Sequence, residues 1–216
     1  MKFSCKPYRL ALSLPLIAGP IAFADTITFY NTGVAADGSL LSAGSADSHY
    51  SLIHSADPGG TVARATTANG VWQSSTTAGW ISPGSSGNQD WNGGTYVYEA
   101  VLDLTGYDAS TAALSGLFAA DNSVSIYLNG SNSALFSSTT FNSFTSFDIT
   151  SGFVSGVNLI DFVVNNDGGP TGLLVDGTSA TANLAQTPEP RSFLLLATGL
   201  LGGSALIVRR MRPAAL

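Results

Sequence analysis

Three tryptophans, Trp72, Trp80 and Trp91, fall in one Gly- and Ser-rich stretch, VWQSSTTAGWISPGSSGNQDWNGG. An indole in such a segment loses hydration unless it packs or binds something. Sugar sites commonly pair an aromatic face, stacked on the C–H side of a pyranose, with Asn, Asp or His groups that bond its hydroxyls. Trp91 lies between Asp90 and Asn92-Gly93-Gly94, which makes it the most exposed of the three by expectation and the first candidate for ligand contact. Trp72 and Trp80 suit plugs at the open edges of a β-sandwich. Asp121, Asn122, Asn165 and Asn166 flank apolar runs and are further candidates for contact with a ligand or with calcium. The same residue types cap turns through their own side chains, so both roles stay open.

Catalytic signatures are absent. There is no Gly-x-Ser-x-Gly elbow, HExxH helix or phosphate-cradling glycine loop, and Cys5, the single cysteine, lies near the start of the chain. His49 and His54, with Asp47 or Asp57, have the composition of an acid-base or metal site, but their Ser, Gly and Pro neighbours suit surface turns. Glycoside cleavage needs two carboxyl groups about 5–10 Å apart, one with a raised pKa. Aspartates are too frequent here for that pattern to single out a pair. The expectation is a chain that is not an enzyme, with no catalytic residues and no cofactor beyond a structural Ca²⁺ whose ligands stay unassigned.

The elements that must position these residues are strands. In Tyr96–Leu104, Tyr96, Tyr98, Ala100, Leu102 and Leu104 share one face while Glu99 and Asp103 point the other way. Ser123–Asn129 places Val124, Ile126 and Leu128 inward, and Asn158–Asn165 does the same with Ile160, Phe162 and Val164. Shorter candidates are Thr26–Asn31, Thr61–Thr67, Ala113–Phe118, Thr145–Ile149, Gly172–Val175 and Thr178–Leu184. Gly, Asn, Asp and Pro punctuate them at the spacing of an antiparallel sandwich. The middle of the chain is therefore expected to be one all-β domain over 25–186.

Charge separates that middle from both ends. Between Asp25 and Thr187 the thirteen acids are opposed by Arg64 alone, which gives −12. Such a surface repels phosphate backbones and excludes nucleic-acid binding. At the start, Lys2, Lys6 and Arg9 precede an apolar run from Leu10 to Ile21, and Ala22-Phe23-Ala24 supplies a small-x-small site for signal peptidase. A signal peptide over 1–24 follows, with the mature chain starting at Asp25. An uncleaved N-terminal anchor is the other reading.

The last segment, 187–216, carries Pro188-Glu189-Pro190, an apolar run over 193–208 and basic residues over 209–212. The run is at the short end of what spans a bilayer, and the arginines after it set the C-terminus cytoplasmic. This order resembles the PEP-CTERM sorting signal. The resemblance implies export to the periplasmic side and an inner-membrane intermediate. It further implies processing by an exosortase at Pro188, Glu189 and Pro190, and a final place in the cell envelope, at the cell surface or in the extracellular matrix. Asp47-Ser48-His49-Tyr50 is also similar to an Asp-x-His-Tyr stretch shared by a group of PEP-CTERM proteins.

Within the middle, Asn129-Gly130, Phe147-Asp148-Ile149 and Gly156-Val157-Asn158 resemble recurring turns of galactose-binding-like jelly-roll domains. That resemblance implies an antiparallel jelly-roll β-sandwich of the kind found in carbohydrate-binding modules. Two functions follow: a surface module that binds extracellular polysaccharide or another adhesive target, or a structural matrix or biofilm constituent without a small ligand.

Overall fold

A computed structural model describes residues 24–186 and 198–200. The expectations for the signal peptide and Ala22, for Pro188, Glu189 and Pro190, and for most of the 193–208 run lie outside these residues. Among the described residues no helix is long and apolar enough to cross a membrane. Ala24, on the C-terminal side of Ala22, is an exposed residue at the start of the first strand.

Eleven strands follow in order: β1 (Ala24–Ile27), β2 (Tyr50–His54), β3 (Arg64–Ala65), β4 (Ile81–Ser82), β5 (Gly94–Asp103), β6 (Tyr107–Asp121), β7 (Ser123–Leu128), β8 (Phe136–Ser138), β9 (Thr145–Ile149), β10 (Val157–Asn166) and β11 (Gly172–Leu184). They form two sheets. The first runs β3-β4-β11-β6-β9, with β1 also on β11, and the second runs β2-β5-β10-β7-β8. Every strand pairing is antiparallel. The molecule is an antiparallel β-sandwich, as the alternation of its sequence leads one to expect.

The core lies between the sheets. All the inward positions expected for β5, β7 and β10 are buried, from Tyr96 and Tyr98 through Val124 and Ile126 to Phe162 and Val164. Burying one face of each strand fixes its register, because a one-residue slip would turn that whole apolar set to water. Gly172–Val175 and Thr178–Leu184, expected as two strands, are one strand whose register shifts between Asp176 and Ser179. Ala113–Phe118 likewise belongs to a 15-residue strand.

The first sheet is covered on both faces at its centre. Leu173, Leu174 and Val175 are all fully buried, as are Phe118, Ala119 and Ala120. Leu174 and Ala119 face outward and meet a second apolar cluster holding Trp72, Ala78 and Trp80, with Phe141 and Phe144 at its margin. The two indoles lie with ring centroids 4.3 Å apart. Trp72 and Trp80 therefore cover the outer face of this sheet and do not plug an open edge.

Candidate functional site

The sequence candidates meet at one end of the sandwich. The pairs Asn166 with Gly94, Asn165 with Ser123, and Gly172 with Asp121 bring the ends of five strands together there. The Trp91 N–H donates to the Gly169 carbonyl at 2.8 Å. The Asn166 side-chain amide donates to the carbonyls of Trp91 at 3.3 Å and Asn92 at 3.1 Å. The Asn122 N–H donates to the Asn165 carbonyl at 3.2 Å, and the Asn122 Oδ1 accepts the Asp167 N–H at 2.8 Å. Asp121 and Asn122 are joined by a cis peptide bond.

These contacts tie the loops to one another. Asn122 and Asn166 do what was expected of turn caps. The Asp121 carboxylate accepts the Trp72 indole N–H at 2.8 Å, which links the end of β6 to the outer cluster. Burial, with Asp167 nearby, pushes the Asp121 carboxyl up, and the Trp72 hydrogen bond only partly offsets that. Asn165 is exposed and Asn122 half-buried, so part of this rim still faces solvent.

Trp91 is not the solvent-facing ring expected from its Asn-Gly-Gly neighbours. It is half-buried and packs against the main core. A methyl group on Gly60 would come within 3.1 Å of its Cζ3, and one on Gly84 within 2.6 Å of its Cζ2. Two glycines some distance away in sequence thus form the slot that takes the indole. Both Nε1 of Trp91 and Oδ1 of the buried Asn166 lack a partner among the described residues.

The two histidines are not gathered into a metal site. Asp47 is buried and accepts the N–H groups of Gly33 at 2.7 Å and His49 at 2.8 Å, so it serves as a turn former. Its burial pushes the carboxyl up, against those hydrogen bonds. His54 is exposed at the end of β2. Among the described residues no group of three or more His, Cys, Asp or Glu is placed to hold a metal ion.

A groove of about 540 Å³ opens instead where β2 begins. The β2 pairing with β5 begins at Tyr50 opposite Ala100, so β5 beyond that point has only β10 beside it. The segment after β1 forms the other wall. Tyr30 and His49 stack there with ring centroids 3.6 Å apart and planes 11° from parallel. Glu99, Asp103, Ser48 and Thr28 add carboxylate and hydroxyl groups to the lining. Nε2 of His49 is buried and has no hydrogen-bond partner among the described residues. The hydroxyl of Tyr50 donates to the Tyr30 carbonyl at 2.8 Å and holds the stacked wall against β2. A second hollow of about 350 Å³ shares Phe29 and Tyr30 with the groove. No local spacing in the sequence points to this groove, because its walls come from segments far apart in the chain.

Beside the groove lies a carboxylate pair that the sequence left unresolved among its many acids. Glu99 on β5 is directly opposite Asp161 on β10. Burial, with Asp161 adding to it, pushes the Glu99 carboxyl up; burial also pushes Asp161 up. Asp103 behaves in the opposite way, because the hydroxyl and N–H of Thr105 hold its carboxyl below the usual range.

No family model and no curated protein matches the chain. Among solved structures it is similar to a Stig cyclase from Fischerella sp. TAU in complex with (3Z)-3-(1-methyl-2-pyrrolidinylidene)-3H-indole, at 13% identity, with 76% of this chain and 100% of that chain covered and a TM-score of 0.44. It is also similar to a CBM35 from Paenibacillus barcinonensis, at 17% identity, 62% and 98% coverage and a TM-score of 0.31. A third is a CBM35 from Cellvibrio japonicus Abf62, at 16% identity, 63% and 95% coverage and a TM-score of 0.29. The first of these, like an apo-form structure from Fischerella sp., is a cyclase by name, which stands against the expectation that the chain is not an enzyme. That expectation rested on missing motifs alone and is withdrawn. Missing motifs were a weak basis for it, since a fold can gather catalytic groups without leaving a local spacing.

Proposed function

We propose that this chain is an exported, envelope-directed protein whose β-sandwich binds glycans through the groove between the segment after β1 and the start of β2. The observation that carries the reading is the stacked Tyr30–His49 pair in the wall of a concavity of about 540 Å³. That volume lies within the ~300–1,000 Å³ usual for small-molecule sites. Aromatic rings beside hydroxyl and carboxylate groups match the apolar and polar faces of a pyranose. The adjoining hollow, reached past Tyr30, favours a stretch of polymer over a single sugar. The strand order of the two sheets supports the jelly-roll topology that the turn motifs imply.

The loop end with Trp91, Asp121, Asn122, Asn165 and Asn166 is a second contact surface in this reading. Asn165, exposed, and Asn122, half-buried, present it to solvent. Export by a signal peptide, a membrane-inserted intermediate and exosortase processing rest on the sequence of the two ends. The deciding experiment is a glycan array with the full chain in detergent, followed by Tyr30→Ala and His49→Ala on the best binder. Loss of about tenfold or more in affinity, at an unchanged melting temperature, is expected. Wild-type affinity in both variants would remove the groove from the reading. Absence of any saturable ligand for the wild type would leave the matrix-constituent alternative.

A further inference from the structure

The second sheet carries one row of side chains across its outer face: Ser51, Glu99, Asp161 and Tyr127, set side by side by the register of β2, β5, β10 and β7. Glu99 also lines the groove. Like charges directly opposite on neighbouring strands are destabilising, and sheets ordinarily place a cation or a neutral group against a carboxylate. Neither carboxylate of this pair has a hydrogen-bond or ion-pair partner among the described residues, and Oδ1 of Asp161 is buried without one. The single basic residue between 25 and 186 does not help. Arg64 is on β3 in the other sheet, its guanidinium donating to the Gly44 carbonyl at 2.9 Å.

A cavity with an aromatic wall, with the unneutralised Glu99 in its lining, Asp161 directly opposite Glu99 on the next strand and no cation beside them, is built for a ligand that brings its own positive charge. We propose that the groove selects glycans bearing free amino groups, with Glu99 and Asp161 receiving the ammonium while the Tyr30–His49 wall takes the ring. This rests on the glycan-binding reading and narrows it to cationic amino sugars over neutral or anionic ones. A hydrogen bond to a charged group is roughly twice as strong as a neutral one, so a preference of about tenfold or more is expected for the ammonium. The domain's −12 adds a long-range attraction that salt screens.

The test uses the full chain in detergent and three probes of equal length: a glucosamine tetramer, its N-acetylated counterpart and a galacturonic acid tetramer. Affinities are measured by calorimetry in weakly acidic buffer at low and high NaCl. The glucosamine tetramer should bind at least about tenfold tighter than the N-acetylated one, and the galacturonate most weakly. High salt, Glu99→Gln and Asp161→Asn should each shrink that preference severalfold while leaving the N-acetylated probe unchanged. Because both substitutions also remove a like-charge contact, the variants should melt no lower than wild type, which guards against a folding defect. Equal binding of the two amino-sugar probes, or tighter binding of the galacturonate, would overturn the charge selectivity and leave the glycan reading standing. Failure of all three together with an empty array would overturn both.

Discussion

Trp91 is the point where packing and recognition make opposite predictions. Its half-buried indole fills the slot between Gly60 and Gly84, and the two closest approaches would be 3.1 and 2.6 Å for added methyl groups. Full burial of a large aromatic is worth about 3–5 kcal/mol on truncation. A half-buried one should lose about 2–3, so Trp91→Ala is expected to lower stability by that amount. Gly84→Ala should cost about 1–3 kcal/mol, because its methyl runs into the ring at a distance real side chains do not tolerate. The two effects are coupled. Once the indole is gone the Gly84 methyl has room, since the other near atom is the end of the flexible Gln89 side chain. A double-mutant cycle should therefore show Gly84→Ala nearly neutral in the Trp91→Ala background, with a coupling of about 1 kcal/mol or more. Urea unfolding of the full chain in detergent, followed by far-ultraviolet circular dichroism, gives all four free energies. If Trp91→Ala shifts stability by less than about 0.5 kcal/mol and Gly84→Ala costs the same in both backgrounds, the ring does not pack there. Trp91 would then return to the role of an exposed ligand platform.

Trp80→Ala should cost about 3–5 kcal/mol, since it opens the cluster over Leu174 and Ala119; a loss below 1 kcal/mol would mean that this face does not need its cover. Asp47, Asp121 and Asp161 have carboxyls raised above 3.8, and Glu99 above 4.5. Each therefore binds protons more readily folded than unfolded, so its ionised form costs stability, and that cost is relieved as pH falls through the folded values. The melting temperature should rise between pH 7 and about 5, and a steady fall over that range would contradict the assignment. Added NaCl should stabilise the sandwich by screening the −12 carried between Asp25 and Thr187. A much larger gain from CaCl₂ at equal ionic strength would put calcium among the loop aspartates. Glu189→Ala in the native host should leave the protein unprocessed in the inner membrane, and unchanged size and surface display would refute the sorting assignment.

The strands with one buried face could be read directly, because Tyr96 to Leu102 and Ile160 to Val164 alternate as the pleat does. The central strands of the first sheet were read as short or split. Leu173-Leu174-Val175 and Phe118-Ala119-Ala120 are buried on both faces, and a continuous apolar run loses the alternation that marks a strand. The strand expected over Thr61–Thr67 is reduced to the two residues of β3, and β4 and β8, of two and three residues, are too short to show an alternation. At the loop end, the Asn and Asp candidates did converge, because each was placed at the end of a legible strand. Trp91 was misjudged because its slot is made by Gly60 and Gly84, and a missing side chain leaves no local signal. The groove escaped notice for a similar reason. Tyr30, His49 and Glu99 meet through the pairing of β2 with β5 and the path after β1, neither of which is written in any one segment.

The first strand of the sandwich lies beside its last. Ala24 is opposite Asn183 and Ile27 opposite Ala180, so the chain enters and leaves the sandwich at neighbouring points. A short linker could join those points, and the backbone could then be reopened at an exposed turn such as Asn129-Gly130 with little loss of pairing. Tension applied between the two ends would meet the four-residue β1, which pairs with β11 alone, and the last residues of β11, which are held by β6 as well. The bulk of the sandwich, with the groove's β2–β5 wall, would lie off the line of force. A load drawn through the two ends would peel away β1 long before it unfolded the second sheet.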